Sequence, residues 1–327
     1  MMRYVKSKGQ HIVGRFAPTP SGRMHLGNVF SALIGWLAVR SADGTMVLRI
    51  EDIDPRAQDR AVADLLMADL EWLGLDWDEG PTYQSERTTV YEDALTQLGT
   101  AGLTYPCFCT RAELHAASAP HASDGTYVYQ GTCRDLSPDE VARRSAMRPP
   151  ATRLRVPEGD DPAGNIRIGD LVYGTHEEKL ACDCGDFLVR RSDGVFAYQL
   201  AVVVDDGHAG VNLVVRGRDL LGSAARQTYL ARLLGFEPPR YAHVPLLVAA
   251  DGRRLSKREK DLDLGALREA GVPAERIIGT LAAHVGLAQP GALAMPSDLI
   301  DCFSWDPIRE HRQDIVVNQS FLSELFG

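Results

Sequence analysis

The strongest constraint on the fold of this chain is the alternation of strand and helix patterns at its start. Residues 12–17 (IVGRFA) form a short apolar run that two prolines end, and from Leu26 the apolar residues follow the three- and four-residue spacing of an amphipathic helix. Residues 46–50 (MVLRI) predict a second strand, and a second helical pattern follows around 62–73. This βαβα order predicts a parallel sheet with helices on its faces.

The same kind of pattern returns in the second half of the chain. The segments 197–206 (AYQLAVVVDD) and 211–217 (VNLVVRG) are strongly β-like, a helical pattern follows them, and 244–250 (VPLLVAA) has the apolar run of a buried strand. Between the two halves, residues 106–195 lose the periodicity and combine cysteines, a small-residue stretch and short β-like runs. We therefore expect an inserted subdomain there rather than a continuation of the sheet.

The expected fold class is α/β, with a Rossmann-like doubly wound parallel sheet, an inserted α+β subdomain and a short C-terminal helical region. The 327 residues are enough for such an architecture. The expected parts are the first half of the sheet domain (1–105), the insertion (106–195), the second half of the sheet domain (196–261) and the helical tail (262–327).

Composition narrows the function classes. No apolar run approaches the roughly 20 residues that span a bilayer, and no apolar stretch follows the basic N-terminus as in a secretory signal. These patterns predict a cytoplasmic protein without a membrane partner. The net charge of −9 argues against a broadly basic nucleic-acid surface, and the arginines between 143 and 155 leave open either a local basic face or a solvated surface.

Residues 15–28 (RFAPTPSGRMHLGN) carry the first chemical signal. A strand ends, a turn rich in proline and glycine follows, and a helix opens with His25 in its first turn. The unpaired N–H groups and the macrodipole at such a helix start attract phosphate. Gly22 and Gly27 permit a nucleotide to approach the backbone closely, and Asn28 can donate a hydrogen bond to the same anion. Taken alone, His25 would more often be a helix cap or a surface residue.

This segment resembles the first signature (HIGH) of class I aminoacyl-tRNA synthetases, in the form found in glutamyl enzymes, and reads HLGN here. The second signature, KMSKS, has the counterpart RLSKR at 254–258, which alone would be an ordinary basic turn. The segments LRIEDID (48–54), FAYQLAVVVDD (196–206) and VVRGRDLLGS (214–223) are also similar to glutamyl-tRNA synthetases. Two separated signatures in the right order are far more specific than either one.

The resemblance implies that the chain activates L-glutamate with ATP and Mg²⁺, by attack of a carboxylate on the α-phosphate. Because negative charge concentrates in the transition state, positioned cations and hydrogen-bond donors carry this kind of catalysis. The implied catalytic residues are His25 and Lys257. The implied ATP-binding residues are Pro18, Gly22, His25, Gly27, Asn28, Arg254, Ser256 and Lys257.

The same resemblance implies a glutamate site in which arginines hold the carboxylates and an acidic residue holds the ammonium group. Arg15 and Arg216 are the carboxylate-side residues, and Glu51 is the ammonium partner. The full implied set is Arg15, Phe16, Ala17, Pro18, Thr19, Glu51, Tyr198 and Arg216. Two alternatives stay open: Arg216 could instead pair with Asp219, and Tyr198 could be a core residue.

The six cysteines include two C-x-C pairs, which in a cytosolic protein favour metal ligation over disulfides. The pattern resembles the C-x-C…Y-x-x-x-C zinc site of glutamyl-Q tRNA(Asp) synthetases, although the middle spacer is longer here. It implies one structural Zn²⁺ in the insertion, held by Cys107, Cys109, Tyr129 and Cys133. A rival set is Cys107, Cys109, Cys182 and Cys184, with His115 and His121 as further options. A third possibility is that the cysteines are small buried hydrophobes.

The acceptor of the glutamyl group is the least constrained feature. Full glutamyl-tRNA synthetases continue past the second signature into anticodon-binding domains, and this sequence ends at Gly327 without one. That difference and the cysteine pattern resemble the glutamyl-Q enzymes, which implies transfer to the queuosine base in the anticodon of tRNA(Asp), with a loop base entering the active site. Two alternatives stay open: a short glutamyl-tRNA synthetase that charges tRNA(Glu), and a catalytically inactive paralogue that acts as a binding module. A monomer is expected.

Overall fold

The structure is a computed structural model that describes residues 10–116, 128–253, 255 and 263–327. Its strands are β1 (Val13–Phe16), β2 (Thr45–Ile50), β3 (Glu79–Tyr83), β4 (Thr104–Cys107), β5 (Ala151–Leu154), β6 (Asn165–Asp170), β7 (Gly174–Lys179), β8 (Phe187–Arg190), β9 (Leu213–Gly217), β10 (Arg240–Val244), β11 (Leu247–Ala249) and β12 (Ile315–Val317). Its α-helices are α1 (Leu26–Arg40), α2 (Arg60–Trp72), α3 (Thr88–Thr100), α4 (Arg111–Ala116), α5 (Pro138–Ser145), α6 (Leu180–Asp183), α7 (Tyr198–His208), α8 (Leu221–Leu233), α9 (Leu264–Glu269), α10 (Ala274–Ala283), α11 (Trp305–Glu310) and α12 (Gln319–Phe326).

Parallel strands dominate the centre of the molecule. Strand β1 pairs with β2 and β2 with β3, while β9, β10 and β6 form a second parallel group that β7 extends in the antiparallel direction. The Asn212 N–H donates to the Val13 carbonyl (3.0 Å), which sets β9 beside β1. The predicted parallel sheet is confirmed. The carboxyl ends of β1, β2 and β9 therefore lie along one edge, where open α/β sheets bind ligands.

Helix α1 follows β1 directly and is buried along most of its length. The predicted apolar positions have no solvent exposure: Leu26, Val29, Phe30, Leu33, Ile34 and Leu37. Each such side chain contributes about 1.5–3 kcal/mol by leaving water. This packing fixes the start of α1 at the carboxyl edge of the sheet.

The prediction of a strand at 197–206 is wrong, because this segment is helix α7 (Tyr198–His208). The helix is buried on nearly every side, including the run Val202–Val204. A helix that is buried on nearly all sides has no solvent-exposed polar face, so its sequence lacks the 3.6-residue period and resembles a buried strand. Tertiary burial overrides the β-propensity of the valines here.

The expectation that 106–195 stands apart from the sheet is wrong for residues 165–179. The hairpin formed by β6 and β7 joins the sheet edge, where Tyr241 of β10 pairs with Asp170, and the Leu171 N–H donates to the Tyr241 carbonyl (2.9 Å). Strands β4, β5 and β8 form a separate three-stranded antiparallel sheet, as in an inserted subdomain. Local patterns do not show whether a short alternating strand pairs with its neighbours in sequence or with a distant edge.

Helices α9 to α12 follow in the C-terminal region, and they pack on the same core as α1. Ile277, Ile278, Leu281, Ile308 and Phe321 are buried there. One unpredicted strand, β12, pairs in parallel with β11. The predicted strand at 244–250 is accordingly split between the end of β10 and β11. Within the described residues, no helix is long and apolar enough to cross a membrane.

Asp205 on α7 provides a test of this packing. Its carboxylate is buried and accepts hydrogen bonds from Gln84 Nε2 (2.8 Å), Arg87 Nε (2.6 Å) and the Tyr91 hydroxyl (2.8 Å). Asp205→Asn turns an amide NH₂ toward these donors and removes the charge, so we expect a loss of about 3–5 kcal/mol in the free energy of unfolding. Urea unfolding monitored by circular dichroism measures this loss.

Asp93→Asn is the matched control, since Asp93 is exposed on the neighbouring helix α3. It should change the free energy of unfolding by less than about 0.5 kcal/mol. Equal effects of the two substitutions would contradict a special role for the Asp205 hydrogen bonds.

Candidate active site

A cavity of about 530 Å³ opens at the carboxyl edge of the sheet. Every described residue of the implied ATP and glutamate sets lines it: Arg15, Phe16, Ala17, Pro18, Thr19, Gly22, His25, Gly27, Asn28, Glu51, Tyr198 and Arg216. Apolar side chains of α2 and of the strands complete the walls. The other implied residues, Arg254, Ser256 and Lys257, lie outside the described part of the chain. Residues that are distant in sequence thus share one cavity.

His25 is both the N-cap of α1 and part of the cavity wall. Its Nδ1 accepts a hydrogen bond from the Gly27 N–H (3.1 Å), and the Asn28 side chain accepts one from the His25 N–H (3.4 Å). This is a capping box, which satisfies the first N–H groups of the helix from both sides. Because Nδ1 accepts, the hydrogen-bond network places the ring proton on Nε2. The cap and the ligand-binding interpretations of His25 are therefore compatible.

Two glycines shape this helix start. Gly22 has a φ of 133°, a region that residues with a Cβ rarely adopt. At Gly27, a Cβ would lie only 3.0 Å from Cε1 of the His25 ring. A side chain at either position would therefore displace the turn or the histidine, which explains why the sequence has glycine at both.

The residues that flank 256–262 are anchored on the cavity wall. The Leu255 N–H donates to the Leu247 carbonyl (3.4 Å), and Leu247 lines the cavity. On the other side, Asp263 forms a β-bridge with His25, and the Leu264 N–H donates to the Met24 carbonyl (3.0 Å). Leu255 is thus held next to a cavity-lining residue, and Asp263 is held beside His25.

Arg216 extends from β9 with its guanidinium almost completely buried. Its Nε donates to His243 Nε2 (3.0 Å), Nη1 donates to Gln227 Oε1 (2.7 Å), and Nη2 donates to the Leu220 carbonyl (3.1 Å). A guanidinium has five N–H groups, so one on each Nη is left without an acceptor among the described residues. Two such N–H groups on neighbouring nitrogens can bind a carboxylate in bidentate fashion.

His243 and Asp170 stand behind Arg216. His243 is fully buried, and its Nδ1 lies 2.7 Å from Asp170 Oδ2. Burial lowers the pKa of His243, and it works against ionisation of Asp170, but the hydrogen bonds to Asp170 outweigh burial and lower the pKa of that carboxyl. A neutral imidazole that accepts at Nε2 must carry its proton on Nδ1, from which it donates to the Asp170 carboxylate.

A network of buried charges surrounds Glu51 at the end of β2. Arg49 Nη1 donates to Asp206 Oδ1 (2.6 Å) and Nη2 donates to Glu51 Oε1 (3.2 Å), while Arg15 Nε lies 3.6 Å from Asp206 Oδ1. Burial raises the pKa of Glu51, although Arg49 and Arg15 act in the opposite direction. The cavity thus presents a carboxylate next to cationic groups that are already paired.

A second site lies in the insertion, where three thiols converge. The Sγ atoms of Cys107, Cys109 and Cys133 all lie within 4.8 Å of one another. The distance from Cys109 Sγ to Cys133 Sγ is 3.6 Å, and the Tyr129 hydroxyl is 3.6 Å from Cys107 Sγ and 3.5 Å from Cys109 Sγ. A tetrahedron with metal–sulfur bonds of about 2.3 Å and a metal–oxygen bond of about 2.0 Å has edges of roughly 3.5–3.8 Å. The three distances lie in or near that range, and the three cysteines can hold a metal ion.

Hydrogen-bond donors surround this cluster as they surround thiolates. Arg153 Nε donates to Cys107 Sγ (3.3 Å), and its guanidinium stacks on the Tyr129 ring (3.7 Å). Burial opposes ionisation of Cys107, but Arg153 outweighs it and the pKa of the thiol is lowered. Burial raises the pKa of Cys109 to about 11. A bound cation would therefore be needed to hold all three sulfurs as thiolates near neutral pH.

The rival ligand set is not brought together. Cys184 is buried with its Sγ donating to the Leu180 carbonyl (3.4 Å), and Cys182 is exposed. Neither belongs to the thiol cluster in the described part of the chain. His121 and the side chain of His115 lie outside the described residues.

Sequence reasoning did not predict the residues that support the cavity, namely Arg49, Asp206, His243 and Asp170. One signal was available: charged residues such as Arg49 and Asp206 within strongly apolar runs are rarely buried unless they are paired. His243 and Asp170 give no comparable local signal.

Fold and cavity together define the catalytic domain of a class I aminoacyl-tRNA synthetase. Residues 11–293 match the family of class I tRNA synthetases (E and Q), catalytic domain, and the chain belongs to this family of ligases.

Among its relatives are glutamyl-Q tRNA(Asp) synthetases of Nitratidesulfovibrio vulgaris (48% identical, over 90% of this chain and 92% of the relative) and Symbiobacterium thermophilum (45%, over 97% and 99%). A glutamate-tRNA synthetase of Elizabethkingia anophelis has the same fold (TM-score 0.79, 24% identity, covering 95% of this chain and 69% of that one). A glutamate tRNA ligase of Elizabethkingia meningosepticum in complex with its amino acid is also similar (TM-score 0.77, 26% identity, 95% and 68%).

The thiol cluster leads to a prediction about metal binding. We expect the apo-protein to bind one Co²⁺ per chain with the intense charge-transfer absorption of a cobalt–thiolate site, because its three sulfurs already lie within 4.8 Å of one another. Cys133→Ser should weaken binding by about tenfold or more. Cys182→Ser is the matched control and should bind as tightly as the wild type. Equal weakening by both substitutions would favour the rival ligand set.

Proposed function

We propose that this chain uses ATP to convert L-glutamate into glutamyl-adenylate and transfers the glutamyl group to the queuosine base in the anticodon of tRNA(Asp). One observation carries the activation half of the proposal: a single cavity joins a capped helix start, suited to phosphate, to an arginine fork and a buried carboxylate, suited to an amino acid. The proposed compartment is the cytoplasm, and the proposed form is a monomer.

Activation joins two anions, so the site must offset their charge. A carboxylate oxygen of glutamate attacks the α-phosphorus of ATP, the bond to the β-phosphate oxygen breaks, and pyrophosphate leaves. The positive end of the α1 helix dipole and the Nε2–H of His25 lie where they can stabilise the α-phosphate. In the proposal Lys257 binds the leaving pyrophosphate, assisted by Arg254 and Ser256. Mg²⁺ would accompany ATP as a counter-ion held mainly by the phosphates.

Glutamate fits the charges on the opposite side of the cavity. The free N–H groups of Arg216 and the cationic side of Arg15 suit its carboxylates, and Glu51 suits its ammonium group. Phe16, Ala17, Pro18 and Thr19 bring their backbone close, and Tyr198 offers a further polar contact.

The relatives favour queuosine in tRNA(Asp) as the acceptor. Proteins named for that acceptor are nearly half identical to this chain and are matched over nearly all their length. The glutamate-tRNA synthetases of known structure are about a quarter identical and are matched over about two thirds of theirs. Charging of tRNA(Glu) is therefore the weaker alternative.

We also propose that the metal of the thiol cluster is one structural Zn²⁺ and that Tyr129 is its fourth ligand. Four protein ligands leave no open position, which is typical of a structural site. Three thiolates and a phenolate would give the site a net negative charge, and the guanidinium of Arg153 in contact with both kinds of ligand offsets part of it. The Cys133 N–H also donates to the Tyr129 oxygen (2.8 Å), as suits a phenolate.

Glutamate-dependent exchange of labelled pyrophosphate into ATP, followed by transfer of labelled glutamate to tRNA, tests the proposed function. We expect exchange without tRNA and labelling of queuosine-containing tRNA(Asp), whereas tRNA(Asp) without queuosine and tRNA(Glu) should stay unlabelled. Lys257→Ala should reduce exchange by about 10²-fold or more, since it removes a cation from the transition state. Lys179→Ala is the control, because Lys179 is an exposed residue of β7 that pairs with Asp160.

Labelling at the 3′ end of tRNA(Glu) would replace the proposed acceptor with the alternative one. Absence of exchange with any amino acid would favour the inactive binding module.

The raised pKa of Glu51 predicts how glutamate binding depends on pH. Glu51 binds the ammonium group only when it is ionised, so affinity is present above its pKa and is lost as the pH falls through it. Because burial raises that pKa, the KM for glutamate should begin to rise at a higher pH than it would if the side chain at position 51 were exposed. Below the pKa of Glu51, the KM should rise by about tenfold per pH unit. Glu51→Gln should show a high KM without this rise. An acidic rise that persists in Glu51→Gln would assign it to another group.

A further inference from the structure

Arg216 is held on three sides before any ligand arrives. Its Nε, one N–H of Nη1 and one N–H of Nη2 all donate to protein acceptors, and the residue is buried. The acceptor on Nη1 is itself oriented, because Gln227 Nε2 donates to Gln199 Oε1 (2.9 Å) and Gln199 Nε2 donates to Ser223 Oγ (3.1 Å). A guanidinium fixed in this way presents its two remaining N–H groups in one direction only.

The hydrogen bond from Arg216 Nε is the one that depends on the protonation of its acceptor, His243 Nε2. An imidazole nitrogen accepts only when it carries no proton, so His243 Nε2 accepts from Arg216 only in the Nδ1–H tautomer. If the proton moved to Nε2, two N–H groups would face each other across 3.0 Å and the guanidinium would be displaced. The position of Arg216 thus depends on which nitrogen of His243 holds the proton.

Asp170 selects that tautomer. Its Oδ2 lies 2.7 Å from His243 Nδ1 and accepts the His243 N–H (3.0 Å), while its Oδ1 accepts the N–H groups of Val172 (2.9 Å) and Tyr173 (2.8 Å). Three backbone donors and one ring donor therefore converge on the two oxygens of one carboxylate. Only a group that accepts at both atoms fits here, and such a group requires a proton on Nδ1.

We propose that Asp170 and His243 are positioning residues for glutamate recognition: they fix the Nδ1–H tautomer of the imidazole and thereby aim the guanidinium fork of Arg216 at a carboxylate of the substrate. This inference rests on the proposed function for the identity of the substrate. It adds that the β6–β7 hairpin, which belongs to the insertion in sequence, sets the specificity of the cavity. Neither residue lines the cavity, and both act through Arg216, so their substitution should change the KM for glutamate and leave the KM for ATP unchanged.

A matched pair of substitutions at His243 separates the two contacts. In His243→Gln the side-chain oxygen can take the place of Nε2 and accept from Arg216, although the link to Asp170 is lost. In His243→Asn the amide can take the place of Nδ1 and donate to Asp170, although nothing is left to accept from Arg216. We expect His243→Asn to raise the KM for glutamate by at least about tenfold, with the KM for ATP unchanged, and His243→Gln to raise it clearly less.

Asp170→Asn tests the tautomer directly. An asparagine must turn its NH₂ toward two of the four donors, which favours movement of the imidazole proton to Nε2. The ¹⁵N chemical shifts of the ring distinguish the two tautomers, and the His243 signals are assigned by their loss in His243→Gln. We expect the Nδ1–H pattern in the wild type, and in Asp170→Asn an altered pattern together with a raised KM for glutamate. Urea unfolding of each variant establishes that it is folded under assay conditions.

The outcomes divide cleanly. Equal KM values for glutamate in His243→Asn and His243→Gln, or equal increases for glutamate and ATP, would show a merely structural role and overturn the inference. An Nε2–H pattern in the wild type would overturn it without any kinetics. Exchange that is absent with glutamate but present with another amino acid contradicts the proposed function, and the tautomer measurement alone then decides whether Asp170 and His243 position Arg216.

Discussion

The architecture depends on a cluster of buried charges at the carboxyl edge of a parallel sheet. Arg49 is almost fully buried and faces Asp205, Asp206 and Glu51, with Asp206 also close to Arg15. Burial opposes the charge of Arg49, but the three carboxylates outweigh burial and raise its pKa. Such a cluster is a weak source of net stability, because desolvation cancels much of the attraction, yet removal of one member leaves the others uncompensated. Its consequence is geometric: β1, β2 and α7 are held at one relative position.

That constraint explains why the cavity has its shape. Glu51 and Arg15 lie at the ends of neighbouring parallel strands, so their separation is set by the sheet and not by a flexible loop. Helix α7 supplies Asp205 and Asp206 to the charge cluster, and its first residue, Tyr198, lines the cavity. A site built on strands and helix ends is pre-organised, as recognition of a small charged substrate requires.

The sequence predicted most of the cavity and less of what supports it. His25, Gly22 and Glu51 were predictable because each lies at a local boundary between strand and helix, where position along the chain also fixes position in the fold. Helix α7 was mistaken for a strand because its burial removes the polar face that marks a helix. Asp170 gave no signal for another reason: it pairs with Tyr241 and His243, some seventy residues away, and no local pattern encodes a pairing of that kind. The thiol cluster was predicted through resemblance, since spacing alone would not select a tyrosine.

Because it carries Asp170, the β6–β7 hairpin affects the orientation of Arg216 as well as its own stability. Its carboxylate is satisfied by backbone donors from its own turn and from β10, so it cannot move without loss of the hairpin's attachment to the sheet. The turn that follows is tied in addition to the C-terminal region, where Arg309 Nε donates to the Leu171 carbonyl (2.7 Å) and the Tyr173 hydroxyl donates to the Arg312 carbonyl (2.8 Å). The element that orients Arg216 is therefore anchored at the sheet edge and at the tail. The tautomer of His243 therefore depends on contacts from three distant parts of the chain. Because this tautomer orients Arg216, the arginine distinguishes ligands by the direction of its hydrogen bonds as well as by charge.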